Sequence, residues 1–124
     1  LTLAATGGIL GEVIAAAAEL ATRDIQCRVL DIHTIKPLDT EALGRAARET
    51  GGIVTVEEHN VIGGLGAAVA ESCLEDNHRP ALFRRIGLND CYSEVVGSQN
   101  YLRGHYGMNA AAIVEAVETL LRAA

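Results

Sequence analysis

The sequence predicts an α/β domain whose mostly parallel sheet is covered by helices on both faces. Three observations predict it. The apolar period switches repeatedly between the two-residue repeat of a strand and the 3.6-residue repeat of a helix, which is how successive βαβ units read. The run "GIVTV" (52–56) is apolar almost without interruption, as a parallel strand buried on both faces must be. The composition, 49% hydrophobic but only 3% aromatic, restricts the core to Ala, Val, Ile and Leu, small side chains that let helices lie close on a sheet. At 124 residues, with no internal repeat or linker, the chain reads as one domain, 1–124.

Each element follows from a local signal. "LTLAAT" (1–6) is an apolar strand ending at Gly7-Gly8. Ile9, Leu10, Val13, Ile14, Ala17, Leu20 and Ala21 then keep helical spacing. "CRVLDI" (27–32) is the second strand and "HTIKPLD" (33–39) a loop closed by proline. Asp39 stands where an N-cap belongs, with Glu41 in the first turn of a helix to about Thr50 and a buried stripe of Leu43, Ala46 and Ala47. "GIVTVEE" (52–58) is the third strand and residues 65–75 the third helix. After Pro80, "ALFRRIG" (81–87) is the fourth strand, and a glycine- and polar-rich stretch over 87–108 is expected to be irregular. Asn109 caps a last helix with the face Ile113, Val114, Val117, Leu120 and Leu121.

Charge and cysteine usage narrow the function classes. A formal net charge of −6 with scattered basic residues argues against nucleic acid and anionic membrane as partners, since both require a clustered positive field. The one adjacent basic pair, Arg84-Arg85, reads as an edge-strand guard and salt-bridge partner. Cys27, Cys73 and Cys91 form no CxxC pair and point to a reducing cytoplasm. Cys27 and Cys73 fall on faces expected to be buried, and Cys91 in a loop. The opening residues do not read as a signal peptide, and no membrane span is expected, since no apolar run reaches the required length. The start inside a strand, without methionine, suggests a fragment of a longer protein.

In a parallel sheet, sites lie beyond the carboxyl ends of the strands, where the winding direction reverses. The stretch "VTVEEHNVIGGLGAAVAE" (54–71) runs strand, glycine loop, helix, an arrangement able to cradle a phosphate. Its details disagree with that use. Gly64 and Gly66 are two glycines of a dinucleotide fingerprint, but Val69 stands in the third place, and no P-loop lysine is present. Glu57 and Glu58 would repel an anion at the helix N-terminus. The glycines are therefore read as permitting a tight turn and close helix–sheet approach, and the acid–acid–His–Asn cluster as a contact surface. The resulting interface and switch-point candidates are Gly7, Gly8, His33, Glu57, Glu58, His59, Asn60, Gly63, Gly64 and Gly66. His59 stays open between a general base oriented by a carboxylate and a solvated loop imidazole. No catalytic, cofactor-binding or metal-ligating residue is assigned; His33, His59, His78 and His105 lack ligand spacing.

Taken together, "LAATGG", "RVLDIHTIKPLD", "GGIVTVEEHNVIGGLGAAVAE", "RIGLND" and "YGMNAAAIVEAV" resemble, in order and spacing, the C-terminal domain of transketolase-like, thiamine-diphosphate-dependent enzymes. "DIHTIKPLD" with "EEHN" is most similar to the transketolase branch, especially the type split into two subunits. The same domain occurs in 1-deoxyxylulose-5-phosphate synthase and in 2-oxo-acid dehydrogenase beta subunits. The resemblance implies a three-layer α/β/α sandwich with a sheet of four or five strands, and for this chain's strands the order 2-1-3-4. It also implies a homodimeric parent that moves a two-carbon ketol unit between sugar phosphates. Thiamine diphosphate and a divalent metal would then be held by N-terminal and middle domains or subunits, and none by this domain alone. Beside this assembly role stands a second reading, a regulatory small-ligand module at the switch point.

Overall fold

The computed structural model describes residues 1–124. Its elements are β1 (Thr2–Thr6), α1 (Leu10–Ala21, entered through a 3-10 turn at Gly7–Ile9), β2 (Arg28–Asp31), α2 (Thr40–Glu49) and β3 (Ile53–Asn60). Then follow α3 (Leu65–Glu75), β4 (Phe83–Leu88), α4 (Gln99–His105) and α5 (Ala110–Arg122). All four strands are parallel, in the order β2-β1-β3-β4, as the resemblance implied.

Strand alternation divides the core in two. On one face Leu3, Ala5, Val54, Val56 and Ile86 pack with Val13, Ala16 and Leu20 of α1 and Ile113, Val114 and Val117 of α5. On the other, Ala4, Ile32 and Ile53 meet Leu43 and Ala46 of α2 and Leu65, Val69 and Cys73 of α3. The result is the three-layer sandwich. Each fully buried Leu, Ile or Val stabilises it by about 1.5–3 kcal/mol. Asp39 caps α2 by accepting from Ala42 N at 2.9 Å, and Asn109 caps α5 by accepting from Ala112 N at 3.0 Å, both as expected.

The structure corrects four expectations. The stretch 87–108 is not wholly irregular: it contains α4, with Ser98 Oγ accepting from Tyr101 N at 3.2 Å. Ile14 points outward and Ala16 takes its place in the core, because a 100° step per residue turns position 14 away once Val13 faces the sheet. Cys27 is half-buried. Arg84 and Arg85 lie on an edge strand as expected, but neither forms an ion pair; Arg85 Nη1 donates to the Val61 carbonyl at 2.8 Å.

One irregularity lies beside the site. Val56 pairs with Ile86 and Asn60 with Leu88, so Glu57, Glu58 and His59 of β3 stand opposite Gly87 alone. A bulge of this kind re-aims side chains at the end of a strand. Gly87 is required there, since a Cβ on it would lie 2.7 Å from the His59 carbonyl oxygen.

Candidate functional site

The chain leaves β1 toward β2 on one side and returns as β3 on the other, so the switch point lies between the carboxyl ends of β1 and β3. Thr6 pairs with Glu57 there. Strand alternation sends the two consecutive glutamates to opposite faces of the sheet.

Glu57 turns toward α3 and is 1% exposed. Its Oε2 accepts from Leu65 N at 2.7 Å and its Oε1 from Gly66 N at 2.9 Å, both in the first turn of α3. The N-cap of α3 is Gly64, which offers no side chain, so a carboxylate from the preceding strand does the capping. Those amides are the groups a phosphate would need. They are occupied by the protein's own anion. The glycines make room for it: Gly63 has φ +75°, and a Cβ on Gly64 would stand 2.0 Å from Glu57 Oε2. Gly66 lies under Thr55 and the Arg85 stem, each 2.7 Å from where a Cβ would be. Arg85 on the Val61 carbonyl, and Asn60 Oδ1 accepting from Ile62 N at 2.9 Å, hold the rest of the loop.

Glu58 turns to the other face. Arg103 of α4 grips it with two bonds, Nε to Oε1 at 2.8 Å and Nη2 to Oε2 at 3.0 Å. Gln99 Nε2 adds contacts of 3.1 and 3.2 Å to the same oxygens. The Arg103 hydrogen bonds hold the Glu58 carboxyl below its ordinary range, against a smaller opposing effect of burial. Arg103 Nη1 also lies 3.8 Å from Glu12 Oε1 of α1, whose other oxygen accepts from Ala110 N at 2.8 Å. Gly8 forms the floor: a Cβ on it would be 3.3 Å from both Arg103 Nη2 and Glu58 Oε2. Gly7, with φ +74°, turns the chain from β1 into this floor.

Gly7, Gly8, Glu57, Glu58, His59, Asn60, Gly63, Gly64 and Gly66 therefore lie at one end of the sheet. His33 follows β2 at the same end, but its Nδ1 is bonded to Thr34 Oγ1 at 2.7 Å and it joins neither network. His59 is exposed; its Nδ1 sits 2.7 Å from the Asn60 carbonyl oxygen and 3.9 Å from Glu57 Oε2. The main-chain carbonyl thus orients the ring more closely than the carboxylate does. Sequence reasoning missed Glu12, Gln99 and Arg103, all brought in by tertiary packing.

Large exposed apolar side chains collect on the same end. Of the eight in the chain, Ile35, Ile62, Tyr92, Val96 and Tyr101 lie in or just beyond the connections that follow β2, β3 and β4. Val96 is 98% and Ile62 61% exposed.

Residues 1–113 match the family model described as transketolase, C-terminal domain. Among curated relatives, the chain is 47% identical over 116 residues to the 6-deoxy-6-sulfo-D-fructose transketolase subunit SqwH of Clostridium sp. strain MSTE9, covering 94% of this chain and 35% of that protein. It is 42% identical over 113 residues to an apulose-4-phosphate transketolase subunit of Phocaeicola vulgatus, with 91% and 35% covered. A 1-deoxy-D-xylulose-5-phosphate synthase of Heliobacterium modesticaldum is 39% identical over 120 residues, 97% of this chain but 18% of that enzyme. A solved split gene transketolase, described as an inactive beta4 tetramer, superposes with a TM-score of 0.85 at 40% identity, over 98% of this chain and 38% of that one. The chain thus spans little more than a third of the transketolase subunits it matches, 35% of each of the first two.

Proposed function

The chain belongs to the transketolase C-terminal domain family, and from that premise we propose that it is the assembly domain of a thiamine-diphosphate-dependent, transketolase-type enzyme. Ketol transfer between sugar phosphates belongs in this reading to the assembled enzyme, a cytoplasmic homodimer. The N-terminal and middle portions, on the same or a separate chain, carry the cofactor and its divalent metal. The transketolase branch is preferred to the synthase because the chain is 47% and 42% identical to two transketolase subunits against 39% to the synthase, although a further transketolase subunit stands at 35%.

The observation that carries the reading is the gathering of exposed Ile35, Ile62, Tyr92, Val96 and Tyr101 at the end of the sheet where the glycine loop is braced by Glu57 and Arg85. Ile62, on the pre-ordered loop, loses little entropy on docking, which is what an interface anchor requires. The cofactor's diphosphate does not fit this chain. The α3 amides are filled by Glu57, and the switch point is lined by Glu12 and Glu58 around a cation of the chain's own. The same filling argues against a regulatory anion site at that crevice.

Reconstitution tests the proposal. The chain is mixed with the separately expressed N-terminal and middle portions of its enzyme, and association is read by sedimentation and turnover by a ketol-transfer assay. Activity is expected only in the mixture. Ile62→Asp and Val96→Asp should weaken association while leaving the melting temperature of the chain unchanged. Turnover by the chain alone overturns the reading.

A further inference from the structure

The segment from Asn89 to Tyr106 crosses the switch point in an unusual way. From Asn89 to Gly97 it has no helix or strand, and between Asn89 and Gly107 the only buried residue is Arg103, 8% exposed. A charged side chain is the most deeply buried attachment, with half-buried Tyr106 packing against the core at the segment's end. Bonds inside the segment preserve its shape without attaching it: Tyr106 Oη accepts from Glu94 N and donates to Ser93 Oγ, both at 3.1 Å. Polar attachment comes chiefly from Gln99 and Arg103 on Glu58, with Glu12 at 3.8 Å as a second carboxylate and a longer bond from Asn60 Nδ2 to Asp90 Oδ1 at 3.4 Å. The ends are marked by left-handed backbone, Asp90 at φ +50° and Gly107 at φ +68°. Beyond Gly107 the chain is anchored again by buried Met108.

We propose that residues 89–106 form a strap, fastened at the β1–β3 switch point by the Glu58–Arg103 pair, which on release of that pair swings away and lets its seven-residue helix α4 fray, while the sheet and α1, α2, α3 and α5 stay folded. Segments with few buried apolar contacts open locally at far lower cost than the core. Once the strap lifts, both charges reach water, so no buried ion is left unpaired. Release takes Arg103 and Gln99 off Glu58 and Gly8. The inference stands independently of the assembly reading, because its test uses this chain alone.

The test is hydrogen exchange read by mass spectrometry on the full chain, comparing the unaltered protein with Arg103→Met, Glu58→Gln and the double variant. Amides of residues 101–108 are expected to exchange at least tenfold faster in each single variant, with no further gain in the double, since one latch is lost in all three. Protection in β1, β3 and α1 should be unchanged. Gly8→Leu, which keeps every charge and wedges a side chain between Arg103 and Glu58, should give the same pattern. Unaltered exchange in 101–108, loss of protection throughout the sheet, or failure of Arg103→Met to fold would each overturn the proposal.

Discussion

The Glu57 carboxylate caps the helix that begins at Leu65, eight positions further along the chain, its Oε2 2.7 Å from the Leu65 amide. Two charge-assisted bonds at a buried helix N-terminus contribute on the order of 1.5–3 kcal/mol each. Glu57→Ala, which leaves both amides unpaired, is expected to lower the unfolding free energy by about 2–4 kcal/mol. Glu57→Gln, which can still accept one bond, should cost about 1–2 kcal/mol. Urea denaturation measures both.

Gly64 exists for the same contact. A Cβ there would lie 2.0 Å from Glu57 Oε2, so Gly64→Ala must displace the carboxylate. A loss of about 2–4 kcal/mol is expected in the native background, but less than about 1 kcal/mol when Glu57 is already Ala. Equal costs in the two backgrounds would show that the glycine serves the backbone alone.

Stability depends on pH through Glu58. Its folded carboxyl is held down by Arg103, so folding favours the ionised form and the unfolded state binds more protons. The contribution is complete above the unfolded value, about 4.3, and is lost as pH falls through the lower folded value. The stability gap between the native protein and Glu58→Gln should therefore be constant from pH 7 to about 5 and shrink steadily below. Thermal melts across that range read it.

The three thiols should separate kinetically. Cys91 is exposed, while burial raises the Cys73 and Cys27 thiols and disfavours their reactive thiolates. A disulfide reagent at about pH 8 should modify one thiol quickly and two slowly. Cys91→Ser should abolish the fast phase.

Much of this architecture was legible in the sequence because local signals and tertiary packing agreed. Asp39 and Asn109 are caps in both, and "GIVTV" is buried on both faces. The acids beside the glycine loop were legible too, and with them an argument against a phosphate cradle. What the sequence concealed was how those acids are used. Their charge implies repulsion of an anion, yet Glu57 goes further and takes the anion's place: with Ile53 and Thr55 it alternates onto the α3 face of β3, within reach of that helix's first amides. Nothing in residue spacing announces which amides it reaches. The α4 helix did leave a trace, with Ser98 before it and Arg103 and His105 in its last turn. At seven residues it has no sustained apolar stripe to set it apart from the polar stretch around it. Arg103 is invisible for a related reason: its partners, Glu58 and Glu12, are 45 and 91 residues away in the chain.

The central claim is that the amides opening α3 are already liganded from within. Titrating isotope-labelled protein with pyrophosphate at pH 7 and constant ionic strength, while following the backbone amide resonances of residues 63–67, tests it most directly. The account predicts no saturable shift at Leu65 or Gly66 up to millimolar ligand. A saturable, site-specific shift centred on those two amides would contradict it.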